Sequence, residues 1–306
     1  MTTDKVRKRQ GDTVTPAEGP GRGPGLRPRP RTGRKACDLA VKILSGFFAL
    51  LALFLLAWIL STVIRRGAIA LNWEFFTELP PVAGAEGGGL SNAIIGTLLI
   101  TALAALMGVP IGMMTGVYLA EFGAHSRIAA PARFVINVLM GTPSIIVGVF
   151  VYTFLVLPFG GFSGYAGAVA LAILMLPVVA RTSEDMLTLV PNTLRESALA
   201  LGAPRWKVTL GVIFRAARSG LITGVILAVA RIAGETAPLL FTALNSPWEV
   251  DGLGQPTANL TVTIFQYAMS PYDNWQQIAW GASLLITVFV LVVMLSTRFL
   301  LRTRSR

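Results

Sequence analysis

The run ILSGFFALLALFLLAWILSTVI, residues 43–64, sets 22 residues in a row without a single charge. A bilayer's hydrocarbon core is about 30 Å thick and takes about 20 apolar residues in a helix to cross. Within it each backbone N–H and C=O must be satisfied inside the segment, so a helix is the form such a run adopts. Five further segments qualify, at about 92–119, 133–157, 165–183, 220–243 and 278–300. The expected fold class is all-α, a polytopic membrane protein with six transmembrane helices. The first run is too long for the core of a signal peptide, and the basic stretch ahead of it too long for a signal peptide's head, so it reads as an uncleaved span.

Composition agrees and removes several chemistries. The 306 residues are 54% apolar and 13% charged, where a soluble domain carries roughly a quarter charged. A net charge of +11 suggests nucleic acid until its position is considered: eleven of the 26 Lys and Arg lie from Lys5 to Lys42, ahead of the first span. No nucleic-acid partner is expected. Residues 1–38, with PAEGPGRGPGLRPRPRTGRK, lack apolar periodicity and read as a disordered basic leader. That leader either sets topology alone or is drawn to anionic lipid headgroups. Cys37 is the only cysteine and His125, expected in a solvated loop, the only histidine, so neither a CxxC pair nor an HExxH zinc site can form. No metal or cofactor is expected. The phosphate-cradling pattern G-x-x-x-x-G-K-[ST] is missing, so ATP hydrolysis is not expected of this chain.

Orientation follows from the positive-inside rule. With both termini cytoplasmic, the inner side holds the leader, Arg127, Arg133, Arg195, Arg205, Lys207, Arg215, Arg218 and the terminal RTRSR, and the outer side only Arg65 and Arg66. The connection at about 244–277 then lies outside, with Glu249, Asp251 and Asp273 and no Lys or Arg. Pro110, Pro143, Pro177 and Pro238 each fall inside an apolar segment. A proline removes a helix hydrogen bond and invites a kink, and four of them suggest a packed bundle around a pathway.

The longest inner connection, about 184–219, contains PNTLRESALALGAPRWKVTLGVIFRAARSG. Asn192 or Thr193 can cap a short helix whose small-residue face is Ser197, Ala198 and Ala200. Gly202 suits the left-handed residue that ends it, and Pro204 the first turn of a second helix. This elbow is either a solvated loop or a docking element. It resembles the EAA loop of ABC importer permeases, E-A-A, three residues, Gly, nine residues, then an apolar triplet, here Val212, Ile213 and Phe214, and Pro. Glu196, Ala198 and Gly202 fall at that spacing, while Ser197 replaces an alanine and Arg215 stands where proline is usual. The resemblance implies that Glu196, Ser197, Ala198 and Gly202 belong to the loop that docks on the ATP-binding subunit.

Two charges stand out in ILAVARIAGETAPLLFTALN, residues 226–245. Arg231 is placed near the middle of the fifth span, with Glu235 four residues on, so the pair would share a helical face. An arginine at mid-membrane costs at least about 2.5–3.5 kcal/mol on insertion scales. Either the two lock helices together, or the guanidinium, a planar permanent cation suited to oxyanions, serves a substrate path.

RIAGETAPLLFTA resembles the signature of the A subunit of phosphate-specific transport (Pst) permeases. MGTPSIIVGVFVY at 140–152, LMLPVVARTSEDML at 174–187, LVPNTLRESALALG at 189–202, ANLTVTIFQYAMSP at 258–271 and NWQQIAWGA at 274–282 agree with it, together covering roughly 40–300. The resemblance implies an ABC importer permease of the type I, MetI-like fold, over residues 39–306, in a bacterial plasma membrane. It implies as partners a second, C-type permease subunit, two copies of an ATP-binding subunit, an external phosphate-binding protein, inorganic phosphate and membrane lipid. Arg231, Glu235 and Arg181 match ionisable positions that family associates with phosphate passage, although Arg181, near the inner end of its span, could equally snorkel to headgroups. A permease for another oxyanion such as sulfate or molybdate is the nearest alternative. A membrane enzyme acting on lipid or prenyl phosphates would want more clustered acids at the surface than Glu121, Glu184, Asp185 and Glu196, and a motor-free channel would not need the elbow.

Overall fold

The computed structural model describes residues 31–123 and 126–302, with side chains from Cys37 to Ser296 apart from residues 124 and 125. His125 and leader residues 1–30 fall outside the described residues. The chain divides into two compact units, residues 1–57 and 58–306. In the first, the described part is the opening of helix α1 (Arg31–Ala70). Residues 31–38, expected in the leader, are therefore helical. Every side chain from Cys37 to Ala57 is exposed, so this apolar helix buries nothing within its own unit.

The second unit continues through α2 (Trp73–Thr77), α3 (Ser91–Val117), α4 (Ala129–Gly141), α5 (Ser144–Val151), α6 (Leu157–Phe159), α7 (Gly164–Thr188), α8 (Asn192–Ala200), α9 (Arg205–Val208), α10 (Phe214–Ile232), α11 (Ala237–Leu240), α12 (Leu260–Ala268) and α13 (Asp273–Arg302). Wider π-helical turns at Tyr118–Phe122, Tyr152–Val156 and Thr209–Ile213 extend α3, α5 and α9. Five helical stretches can cross a membrane: Cys37–Ala70, Ser91–Phe122, Gly164–Thr188, Arg205–Ile232 and Asp273–Ser296. The pair Ala129–Gly141 and Ser144–Phe159, bent by 102° at its break, passes the same test together, as a broken span or a re-entrant loop, which gives five crossings or six.

Helix α7 is the axis. Gly108, Gly112 and Gly116 of α3 form a ridge four residues apart and lie directly on it. A Cβ at Gly112 would stand 2.8 Å from Val179 Cβ, and one at Gly116 2.5 Å from Ser183 Cβ. Since 108, 112 and 116 meet 172, 179 and 183 in turn, the two helices run parallel. On its other side α7 meets α10 in the opposite sense, with Gly220 against Met186 and Gly224 against Thr182. Small residues let backbones approach in a membrane, where dispersion and hydrogen bonds replace the hydrophobic drive. Ile100, Leu171, Met175, Val179 and Ile232 fill the shared core.

Two of the expected spans differ in the structure. The third, 133–157, is two helices joined at Thr142 and Pro143. The fifth, expected at 220–243, runs from Arg205 to Ile232. Arg205, Lys207, Arg215 and Arg218 are all exposed on it, so the helix carries its cations outward and continues below the apolar window that defined the expectation. The connection expected over 184–219 accordingly shortens to the residues between Thr188 and Arg205.

Candidate functional site

Pro143 and Pro238 each start a new helix after a break, and the two breaks meet. Residue Thr142 ends α4 in extended backbone, and its hydroxyl donates to the Val138 carbonyl at 2.8 Å. Helix α10 ends at Ile232, and Ala233, Gly234, Glu235 and Thr236 intervene before α11. Gly148 is the contact: a Cβ there would lie 2.7 Å from Pro238 Cα. Thr261 holds the second break in place by donating to the Glu235 carbonyl at 2.8 Å.

Between the breaks and α7 lies a cavity of about 250 Å³ lined by Leu139, Met140, Thr142, Pro143, Ser144, Leu174, Val178, Arg231, Ile232 and Glu235. Sequence reasoning named Arg231 and Glu235, and the structure brings both to this cavity. They do not share a helical face, because the helix stops between them. Among the described residues no ion pair joins them, and no hydrogen bond engages the Arg231 guanidinium. Arg231 sits in the last turn of α10 and not at mid-helix. Ser144 and Thr142 were not singled out from sequence. The signal was a Thr and a Gly just ahead of Pro143, which also precede Pro238 and precede neither Pro110 nor Pro177 in that combination.

Arg181 is elsewhere. It lies one turn beyond Val178 on α7, with Nε 3.3 Å from Asp185 Oδ2 and Nη1 3.7 Å from Glu184 Oε2. It does not line the cavity, and its charge is already faced by two carboxylates.

At the elbow, α8 ends as the spacing predicts. Gly202 has φ +80°, its N–H donates to the Leu199 carbonyl at 2.9 Å, and Ala203 N–H donates to the Ala198 carbonyl at 3.4 Å. These are the two reverse bonds of a left-handed helix stop. Asn192 is the first helical residue and not the cap, and Pro191 precedes it. Glu196 and Ser197 are exposed and Ala198 is half-buried, turned toward Leu187, Val190 and Val208. Leu201 and Trp206 are also exposed, at 88% and 61%, and Lys207 lies over the Trp206 ring at 5.4 Å. Large apolar groups therefore stand exposed on a turn that also bears charge.

Comparison with known proteins supplies the family. Residues 108–306 match the family described as binding-protein-dependent transport system inner membrane component. The chain is 49% identical over 265 residues to the phosphate transport system permease protein PstA of Haemophilus influenzae, covering 87% of this chain and 94% of that one. It is 49% identical over 257 residues to PstA of Yersinia pestis, covering 84% and 87%. With PstA 1 of Mycobacterium tuberculosis it shares 35% over 287 residues, 91% of this chain and 93% of the other. Among solved structures, the MetNI methionine ABC transporter in an inward-facing conformation aligns with a TM-score of 0.60 at 21% identity, covering 71% of this chain and 96% of that one. That likeness establishes the MetI-like fold alone. The chain belongs to the family of binding-protein-dependent transport system inner membrane components and, within it, to the PstA permease proteins.

Proposed function

We propose that this chain is the A-type permease subunit of an ATP-driven phosphate importer and that phosphate passes the cavity at Arg231. The supporting observation is an arginine that has no ion pair or guanidinium hydrogen bond among the described residues, set in a cavity of about 250 Å³ where two broken helices meet. Broken helices at a transporter's core turn backbone ends and side chains toward substrate. Guanidinium and hydroxyl groups suit the oxygens of an oxyanion. At neutral pH phosphate keeps an O–H, which sulfate and molybdate lack, and the Glu235 carboxylate in the same cavity can accept from it. That acceptor favours phosphate over the other oxyanions, since an anion without a proton would meet only repulsion there.

The chain works with a second, C-type permease subunit, two ATP-binding subunits and an external phosphate-binding protein, in a bacterial plasma membrane with both termini inside. Glu196, Ser197, Ala198 and Gly202 belong to the face that the ATP-binding subunit covers. Arg181 serves the inner exit, where Glu184 and Asp185 keep it from holding the anion.

The test is labelled-phosphate uptake in cells lacking other phosphate transporters, with a pull-down that reports assembly. Arg231→Gln should abolish uptake while the complex persists, and adding Glu235→Gln should not restore it. Recovery in the double variant would make the two charges structural. Glu235→Gln alone should let sulfate compete where it did not before. For orientation, Glu249→Cys should label from outside in intact cells and Lys207→Cys should not, and the reverse pattern would invert the topology.

A further inference from the structure

We infer that the π-turn Tyr118–Phe122, where α3 ends, is the hub that carries movement of the elbow to the Arg231 cavity. This rests on the reading of the elbow as the motor contact. Two arginines grip the turn from opposite directions. From the elbow, Arg195 of α8 reaches Glu121 Oε1 with Nη2 at 3.0 Å and Nε at 3.3 Å. The same guanidinium donates to the Leu187 carbonyl at 2.7 Å, the Val190 carbonyl at 2.6 Å and Asn192 Oδ1 at 3.0 Å. It thereby satisfies open carbonyls at the end of α7 while holding the end of α3.

From the other direction, Arg133 of α4 donates with Nη2 to the Leu119 carbonyl at 3.0 Å and with Nε to Glu184 Oε1 at 2.6 Å. Helix α4 runs straight on to Leu139, Met140 and Thr142 in the cavity wall. The chain of contact is continuous: α8, Arg195, Glu121, the π-turn, the Leu119 carbonyl, Arg133, α4, cavity. A single π-turn inside a helix is a local widening frequently found at functional sites.

Packing alone does not explain the charges. The Arg195 and Glu121 side chains are 18% and 10% exposed and the Glu184 side chain 9%. Withdrawing ions from water costs about as much as their pairing returns, so a buried pair is poor evidence for a stability role. What a fork of five donors offers is a fixed geometry between three helix ends. Arg195 and Arg133 act as positioning residues, and the substrate touches neither.

The experiment uses the whole complex, reconstituted with its second permease, ATP-binding subunits and phosphate-binding protein. The reporter is Met140→Cys, on the cavity wall, in a Cys37→Ser background that removes the chain's only other cysteine. Maleimide labelling of this chain is timed without nucleotide and with ATP and vanadate. The parent should change its labelling rate at least about fivefold, the lower end of ordinary coupling between sites. Glu121→Gln leaves the carbonyl bonds of Arg195 in place, so the elbow stays folded. It should hydrolyse ATP, shrink the labelling response to within about twofold, and move less phosphate per ATP. Arg133→Lys keeps a cation beside Glu184, loses the fork to Leu119, and should do the same from the far side of the hub. An undiminished response in either variant would overturn the inference, as would a parent that does not respond. Loss of assembly in both would reduce the cluster to a clamp and overturn it as well. A parent that responds to ATP but carries no phosphate would instead retire the phosphate reading and leave this one standing.

Discussion

Two pairs of helices in the second unit contain prolines, and they use them differently. In α3 and α7, Pro110 and Pro177 sit inside helices that continue through them. The pair is held by a glycine ridge, and 61% of the α7 membrane window is buried. At α5 and α11, Pro143 and Pro238 stand where helices stop and restart, and a cavity opens beside them. The difference is local chemistry ahead of the proline and, at Pro110, packing. Gly141-Thr142 and Gly234-Glu235-Thr236 each set a glycine and a threonine, both poor helix formers, ahead of the proline, and at the first break the Thr142 hydroxyl takes up the Val138 carbonyl. Leu176 and Met175 ahead of Pro177 are good helix formers; Gly108-Val109 ahead of Pro110 are not, and there the close seat of Gly108 on Ala172 of α7 holds the helix through the proline. One region is therefore a rigid spine and the other a site, although both read as apolar runs with a proline.

The comparison breaks most sharply at the spine. Gly116→Leu would put a side chain where a Cβ alone stands 2.5 Å from Ser183 and 2.6 Å from the Ala180 carbonyl. Neither backbone can yield without parting the helices, and overpacking of this kind costs about 1–3 kcal/mol or more. The complex should fall at least about tenfold in a membrane pull-down, since 1.4 kcal/mol is already a factor of ten. A normal yield would mean that α3 and α7 are not the spine.

The same kind of change at the other region should fail in another way. Gly148→Val pushes α5 off the Pro238 backbone, which a Cβ would approach to 2.7 Å. The spine stays intact, so the chain should assemble while phosphate uptake drops about tenfold or more, as when bound geometry is lost at a site. Assembly lost in step with uptake would erase the distinction between spine and site.

An intermediate effect is expected at the elbow. Nothing lies within 4 Å of a Cβ at Gly202, so any penalty there comes from its φ of +80°. A non-glycine residue in that region is strained by about 1–2 kcal/mol. Gly202→Asp should leave the complex in place and lower phosphate moved per ATP severalfold, by strain and by a new charge on the covered face. Gly202→Asn, which tolerates the left-handed region, should be milder. Equal transport by the Asp variant would remove the elbow from the motor contact.

Much of this was legible from residue order alone. Run length identified the spans because a bilayer sets a fixed crossing distance. Gly202 and Pro204 located the elbow because few residues accept the backbone those positions need. The start of the fifth span was hidden, since Arg205, Lys207, Arg215 and Arg218 depress a hydropathy window without stopping a helix that turns them outward. The break at 142 was hidden because periodicity does not separate a kinked helix from two helices. Arg231 and Glu235 were found as charges in an apolar run, but their relation was misjudged. Spacing places residues on one face only while the helix lasts, and Gly234 lies where it has ended. Glu121, Arg133 and Arg195 gave no local signal at all, since 74 residues separate Glu121 from Arg195 and 51 separate Arg133 from Glu184.

The smallest effect should come from Pro110. It is exposed on the side of α3 away from the buried Gly108 and Gly112, so no packing partner depends on its ring. Pro110→Ala restores an N–H that can reach the Leu106 carbonyl, and removes the clash that bends a helix at proline. Both changes favour a straighter α3. If Pro110 is only tolerated, assembly and uptake should stay within about twofold of the parent, the ordinary range for a surface change of ±0.5 kcal/mol. If the proline instead sets a course of α3 that keeps Gly112 and Gly116 in register with Val179 and Ser183, its loss would lift part of the ridge off α7, and assembly would fall as it does for Gly116→Leu. A pull-down of the two variants side by side decides between these. The near-neutral result is expected, because the ridge contacts Gly108, Gly112 and Gly116 lie on both sides of the proline and hold α3 to α7 across it.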